Sequence, residues 1–87
     1  MGVKFDGYRK GVLLEAKGPG YTQFVKNGGF KQFFAGRRKL LEQAKRQRRA
    51  AKEVLVEWHI AEKEFARALE NFFATNRVFG IRIVHTP

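Results

Sequence analysis

Phe5-Asp6-Gly7-Tyr8-Arg9-Lys10-Gly11-Val12-Leu13-Leu14-Glu15-Ala16-Lys17-Gly18 reads as two short strands joined by a tight polar turn at Lys10-Gly11, the pattern of a β-hairpin. With that turn Arg9 pairs with Val12, and counting back puts Asp6 opposite Glu15. Successive side chains on a strand alternate between faces, so one face carries Lys4, Asp6, Tyr8, Leu13, Glu15 and Lys17. The other carries Val3, Phe5, Val12, Leu14 and Ala16, an apolar set suited to a core. A slip of one residue would mix the two sets, so the sorting supports this register.

Two carboxylates directly across a strand pair repel one another. A divalent cation removes the conflict. Mg²⁺, or Mn²⁺ in its place, takes hard oxygen ligands, typically one or two carboxylates with waters and substrate phosphate. Lys17 beside such a site can hold an attacking water or offset charge developing on a phosphate. A Glu-x-Lys triplet alone is more simply a surface ion pair of little energetic weight. Asp6 in matching register, with an apolar reverse face, favours the metal. Asp6 and Glu15 are therefore the expected metal ligands, and Lys17 joins them in the expected catalytic set.

These residues resemble the D…(D/E)-x-K signature of restriction-endonuclease-like nucleases, with Asp6 first and Glu15-Ala16-Lys17 closing the next strand. The longer run from Phe5-Asp6-Gly7-Tyr8-Arg9 through Gly11-Val12-Leu13-Leu14-Glu15-Ala16-Lys17-Gly18-Pro19-Gly20-Tyr21 resembles the Tox-REase branch of polymorphic bacterial toxins, found among type VI secretion effectors. Gly28-Gly29-Phe30, Leu41-Glu42-Gln43-Ala44, Trp58-His59 and Ile83-Val84-His85-Thr86-Pro87 extend the resemblance over nearly the whole chain. It implies a nuclease toxin domain of a secreted effector, acting in the target-cell cytoplasm and countered by an acidic immunity protein. It also nominates a glutamine beside the metal site, on the helix after the Glu-x-Lys strand: Gln43 first, Gln47 second. Family members place a helix before the Asp strand that supplies a further acid. Here the first strand begins almost at Met1, as in a domain excised from a longer effector. Activity would then depend on a missing segment, a partner, or a second copy in a homo-oligomer.

Composition narrows the class. Eighty-seven residues allow one small domain, expected to span 1–87, and 44% hydrophobic with 14% aromatic residues is the make-up of a folding chain. The absence of cysteine excludes disulfides and thiolate metal sites. No apolar run approaches the roughly 20 residues that span a bilayer, and no membrane partner is expected. A net charge of +10 on so short a chain implies a polyanionic partner.

Along the chain, Gly18-Pro19-Gly20 ends the strand as a turn, with a phosphate-cradling loop the alternative. Tyr21 to Lys26 is expected as one or two helical turns, with Thr22 a plausible N-cap, broken by Asn27-Gly28-Gly29. Phe30, Phe33 and Phe34 have the spacing of one helical face turned to the core. Arg37 to Lys52 predicts a long helix with a thin apolar stripe of Leu40, Leu41, Ala44 and Ala51. Arg37, Arg38, Lys39, Lys45, Arg46, Arg48, Arg49 and Lys52 surround that stripe against a single acid, Glu42. A merely solvated face usually balances its charges. This one does not, so these residues, with Gln47 among them, form the expected nucleic-acid surface.

Val54 to Trp58 predicts a strand with Trp58 in the core and His59 in a structural hydrogen bond. Glu62 to Asn76 predicts a helix, and Gly80 to Val84 the last strand, with His85 a terminal packing residue. The order ββααβαβ fits an α/β layer with a central mixed sheet of about four strands, the long helix crossing between parallel strands. That agrees with the restriction-endonuclease-like fold. The expected activity is Mg²⁺-dependent hydrolysis of phosphodiester bonds with little sequence specificity, DNA favoured over RNA although no base-reading motif is visible. Two other readings use the same charge: a catalytically silent nucleic-acid-binding module, and a basic domain docking an acidic protein.

Overall fold

In a computed structural model, which describes residues 5–9, 11–32 and 34–87, the hairpin stands where its turn residues put it. Strands β1 (Gly7–Arg9) and β2 (Val12–Lys17) pair antiparallel with Arg9 opposite Val12, Tyr8 opposite Leu13 and Gly7 opposite Leu14. Gly11 has φ +83, the left-handed conformation that a two-residue turn needs and glycine adopts freely. Lys10, Val3, Lys4 and Phe33 lie outside the described residues.

Beyond β2 and an intervening segment, helix α1 (Gly36–Ala51) returns the chain to β5 (Leu55–Ile60), which pairs parallel with β2. Helix α2 (Lys63–Thr75) then brings β6 (Ile81–His85) in parallel to β5. The sheet order is β1-β2-β5-β6, the mixed four-stranded α/β sheet expected. Crossing helices are what parallel neighbours require, since a tight turn cannot reverse the chain twice.

The helices lie against the sheet face that carries Val56, Trp58 and Ile60. These residues join Leu40, Ala44, Phe65, Leu69 and Phe73 in the core. The opposite face carries Leu55, 63% exposed. Leu13 packs on the core, whereas Val12 and Leu14 are half-buried and Ala16 is exposed. Leu13, Glu15 and Lys17 stay on one face and Val12, Leu14 and Ala16 on the other, but the expected core side is corrected: the first set points to the helices and the second points away. Phe5, at the chain entry, still packs on the core.

Residues 21–34 differ from expectation. A single 3₁₀ turn, Thr22–Phe24, leads into a small second hairpin of β3 (Val25–Lys26) and β4 (Gly29–Phe30). Asn27 and Gly28 have φ 51 and 78. Two successive positive φ values make the mirror-image turn that matches strand twist, for which Asn-Gly is the preferred pair. Phe30 and Phe34 therefore meet the core from a strand and a loop, edge to face at 5.2 Å, with Phe24 stacked on Phe34 at 4.4 Å. Among the described residues no helix is long and apolar enough to cross a membrane.

Candidate active site

Glu15 and Lys17 alternate onto the helix side of β2 at its C-terminal end, where α1 passes overhead. Gln43 and Gln47, four residues apart and so on one side of the helix, reach down to them. Gln47 Nε2 donates to Glu15 Oε1 at 3.0 Å and Gln43 Nε2 donates to Glu15 Oε2 at 2.8 Å. Lys17 Nζ donates to Gln43 Oε1 at 2.8 Å and lies 3.2 Å from Glu15 Oε2. Behind them, Trp58 Nε1 donates to Gln47 Oε1 at 2.8 Å, and Lys17 Nζ sits 5.2 Å from the centre of the Trp58 ring.

The chemistry explains why α1 presents glutamines here. Trp58 and Lys17 can only donate, and an ionised Glu15 can only accept. An amide does both, so each glutamine takes a hydrogen bond from one side and passes one to the other. A glutamate in either place would oppose Glu15, and a lysine would leave Trp58 without an acceptor. Glu15 is 7% exposed and Gln47 is fully buried. In surroundings of low dielectric such bonds strengthen one another and hold a single geometry. Among the described residues no buried side-chain polar atom lacks a partner.

Asp6 arrives differently. It stands at a bend just before β1, with its N–H donating to Leu14 O at 2.9 Å. Its Oδ2 accepts the Ala16 N–H at 2.7 Å. The carboxylate replaces a strand carbonyl at the end of the β1–β2 ladder, so Asp6 is not a ladder residue facing Glu15. It is fastened instead to the amide between Glu15 and Lys17. No hydrogen bond joins it to Glu15 or Lys17 among the described residues.

The surface of α1 is strongly basic. Arg37, Arg38, Lys39, Lys45, Arg46, Arg49 and Lys52 are exposed, and among the described residues none of them is in a salt bridge. No acid lies in the first turn. Arg37, Arg38 and Lys39 thus meet the positive end of the helix dipole, an arrangement that an anion would relieve. Two expected surface contacts are corrected. Gln47 is buried in the Glu15 network because it lies on the α1 stripe with Leu40, Ala44 and Ala51. Arg48 is half-buried and donates to the carbonyls of Gly80, Val54 and Lys52, tying α1 to the start of β5 and β6.

Other expectations resolve locally. The amides of Gly20, Tyr21 and Thr22 all donate to Glu62 Oε1, at 3.1, 2.7 and 3.1 Å. A carboxylate of this chain holds the place expected for a phosphate, so the glycine loop is a structural turn. The Tyr21 amide foremost, with the Thr22 side chain and the Gly20 and Thr22 amides, holds the Glu62 pKa below its ordinary value. His59 bridges Thr86 Oγ1 at 2.9 Å and Glu57 Oε1 at 3.0 Å, a structural role. His85 lies 3.2 Å from Ala61 O. The member of the site that the sequence did not point to is Trp58, read as core alone; its indole N–H, which needs an acceptor when buried, was the available signal.

No curated protein and no solved structure matches the chain. A family model does, over residues 1–63, from the entry of the hairpin through β5 to the first residue of α2. It covers β1 to β5, helix α1 and every side chain of the Glu15 network, and leaves β6 and nearly all of α2 outside. The chain belongs to the restriction endonuclease fold toxin 5 family, Tox-REase-5.

Proposed function

We propose that this toxin domain is a divalent-metal-dependent nuclease, hydrolysing phosphodiester bonds with little sequence specificity and DNA its favoured substrate. The observation that carries the reading is the closed set Trp58–Gln47–Glu15–Gln43–Lys17, which holds a carboxylate and an amine side by side at the C-terminal end of β2. Asp6 and Glu15 would hold Mg²⁺ or Mn²⁺. The donor set fits: both are hard carboxylate oxygens, and each Glu15 oxygen can accept more than the amide hydrogen it receives. When bound, such an ion polarises the scissile phosphate and makes water a stronger nucleophile.

The chain's own residues do the rest. Lys17, oriented by Gln43, holds the attacking water and offsets charge on the phosphate in the transition state. Gln43 and Gln47 keep Glu15 in one rotamer. The exposed cations of α1 bind the sugar-phosphate backbone, which positions a substrate without reading bases. As a toxin, the domain acts as a secreted effector in the cytoplasm of a target cell, and an acidic immunity protein covers its basic face.

The test is cleavage of supercoiled plasmid with Mg²⁺ and with EDTA, run beside an RNA substrate. Lys17→Ala should abolish cleavage with the fold retained, Glu15→Gln should abolish it with a lowered thermal transition because its amide nitrogen meets a glutamine donor, and EDTA should abolish it in the wild type. Cleavage by Glu15→Gln at the wild-type rate refutes the assignment.

A further inference from the structure

Phe79 is 70% exposed, on the loop between α2 and β6. The loop is built to hold it there. Val78 before it is buried and its N–H donates to Phe73 O at 2.8 Å, while Gly80 after it is gripped by Arg48 at 2.7 Å through its carbonyl. Arg77 and Gly80 both have positive φ, 55 and 85. Between these anchors the Phe79 ring has nowhere to turn but outward.

The ring forms one wall of a cleft of about 370 Å³ whose other members are Lys45, Arg48, Arg49, Arg77 and Val78. No acid lines it. Glu70 and Arg82 lie in the concavity on the other side of the ring, so a polyanion is drawn to the Lys45 and Arg49 side. An exposed aromatic face ringed by cations is the combination that binds an unpaired nucleotide: the base stacks and the phosphate meets the cations.

The cleft is not the catalytic site. Lys45 lies about 200° around α1 from Gln43 at 3.6 residues per turn, on the opposite flank of the helix. A strand leaving the Glu15–Lys17 edge and crossing α1 over Arg46 would reach it, since a helix is only about 10–12 Å wide. Resting on the reading that nucleic acid lies along α1, we infer that Phe79, with Lys45, Arg49 and Arg77, is a stacking site for a single-stranded segment of the substrate, a few nucleotides from the scissile bond.

Binding is measured in EDTA, independently of cleavage, by anisotropy of labelled oligothymidylate, an abasic strand of equal length and a duplex. Phe79→Ala should weaken oligothymidylate binding roughly 5- to 150-fold, the range of one lost base stack. Phe79→Tyr should restore it, and duplex or abasic binding should change less than about twofold. Arg49→Ala should lower all three affinities and reduce the salt slope by about one. Equal weakening of all three probes by Phe79→Ala, or none, overturns the stacking site and leaves the nuclease reading in place. No binding of any probe by the wild type overturns the nucleic-acid reading itself.

Discussion

Replacing Gln47 by leucine should damage this domain more than any surface substitution, and the structure says by how much. Leucine fills a similar volume, so no cavity opens. Trp58 and Glu15 each lose a partner instead. The Trp58 N–H, 2.8 Å from Gln47 Oε1, becomes a buried donor with no acceptor, a cost of about 1–3 kcal/mol. Glu15 Oε1 loses the amide that donates at 3.0 Å, and a hydrogen bond to a charged group contributes about 1.5–3 kcal/mol. Together these approach roughly 3–6 kcal/mol, against a total stability of about 4–13 kcal/mol for a chain of this length. In urea, with a slope of about 1–3 kcal/mol per molar, the midpoint should fall by at least about 1 M. A double-mutant cycle isolates the tryptophan's share. In a Trp58→Phe background the orphaned donor no longer exists, so Gln47→Leu should cost about 1–3 kcal/mol less. A cost below about 1 kcal/mol, or additivity of the two changes within about 0.5 kcal/mol, would show that Gln47 does not hold Glu15 and Trp58 together.

Two further outcomes follow from named contacts. Because the folded-state pKa of Glu62 is depressed, its stabilisation is fully present above the ordinary glutamate range, near about 4.3. It is lost as pH falls through the lower folded value; Glu62→Gln should therefore flatten the acid limb of a stability-versus-pH curve, and an unchanged limb refutes the cap. At Gly80, with φ +85, an added Cβ would sit 2.9 Å from Arg48 Cδ. Gly80→Ala should cost about 1–3 kcal/mol in thermal or urea unfolding, and a neutral result would mean that Arg48 is not needed to tie β6 to α1.

Much of the fold was legible because it rests on local patterns. Gly11 marks the reversal that sets Arg9 opposite Val12, and the 3.6-residue spacing of Leu40, Ala44 and Ala51 sets the buried side of α1. Asn27-Gly28, the preferred pair for a hairpin turn, was read only as a helix break, because Phe30, Phe33 and Phe34 carry helical spacing. Phe30 and Phe34 pack on the core from a strand and a loop, and tertiary contact overrode periodicity.

The residues by themselves determined that this is a basic α/β domain with an acid–amine pair at the end of its second strand, since charge, strand alternation and turn chemistry are local properties. Which face of the hairpin is inward was decided only by tertiary structure. Counting apolar residues chose Val12, Leu14 and Ala16, yet Glu15 is buried and Lys17 half-buried beside it, because α1 carries two glutamines across the sheet to satisfy them. A buried charge costs little once its partners are supplied, and those partners lie 28 and 32 positions away in the chain. No local pattern reports that distance.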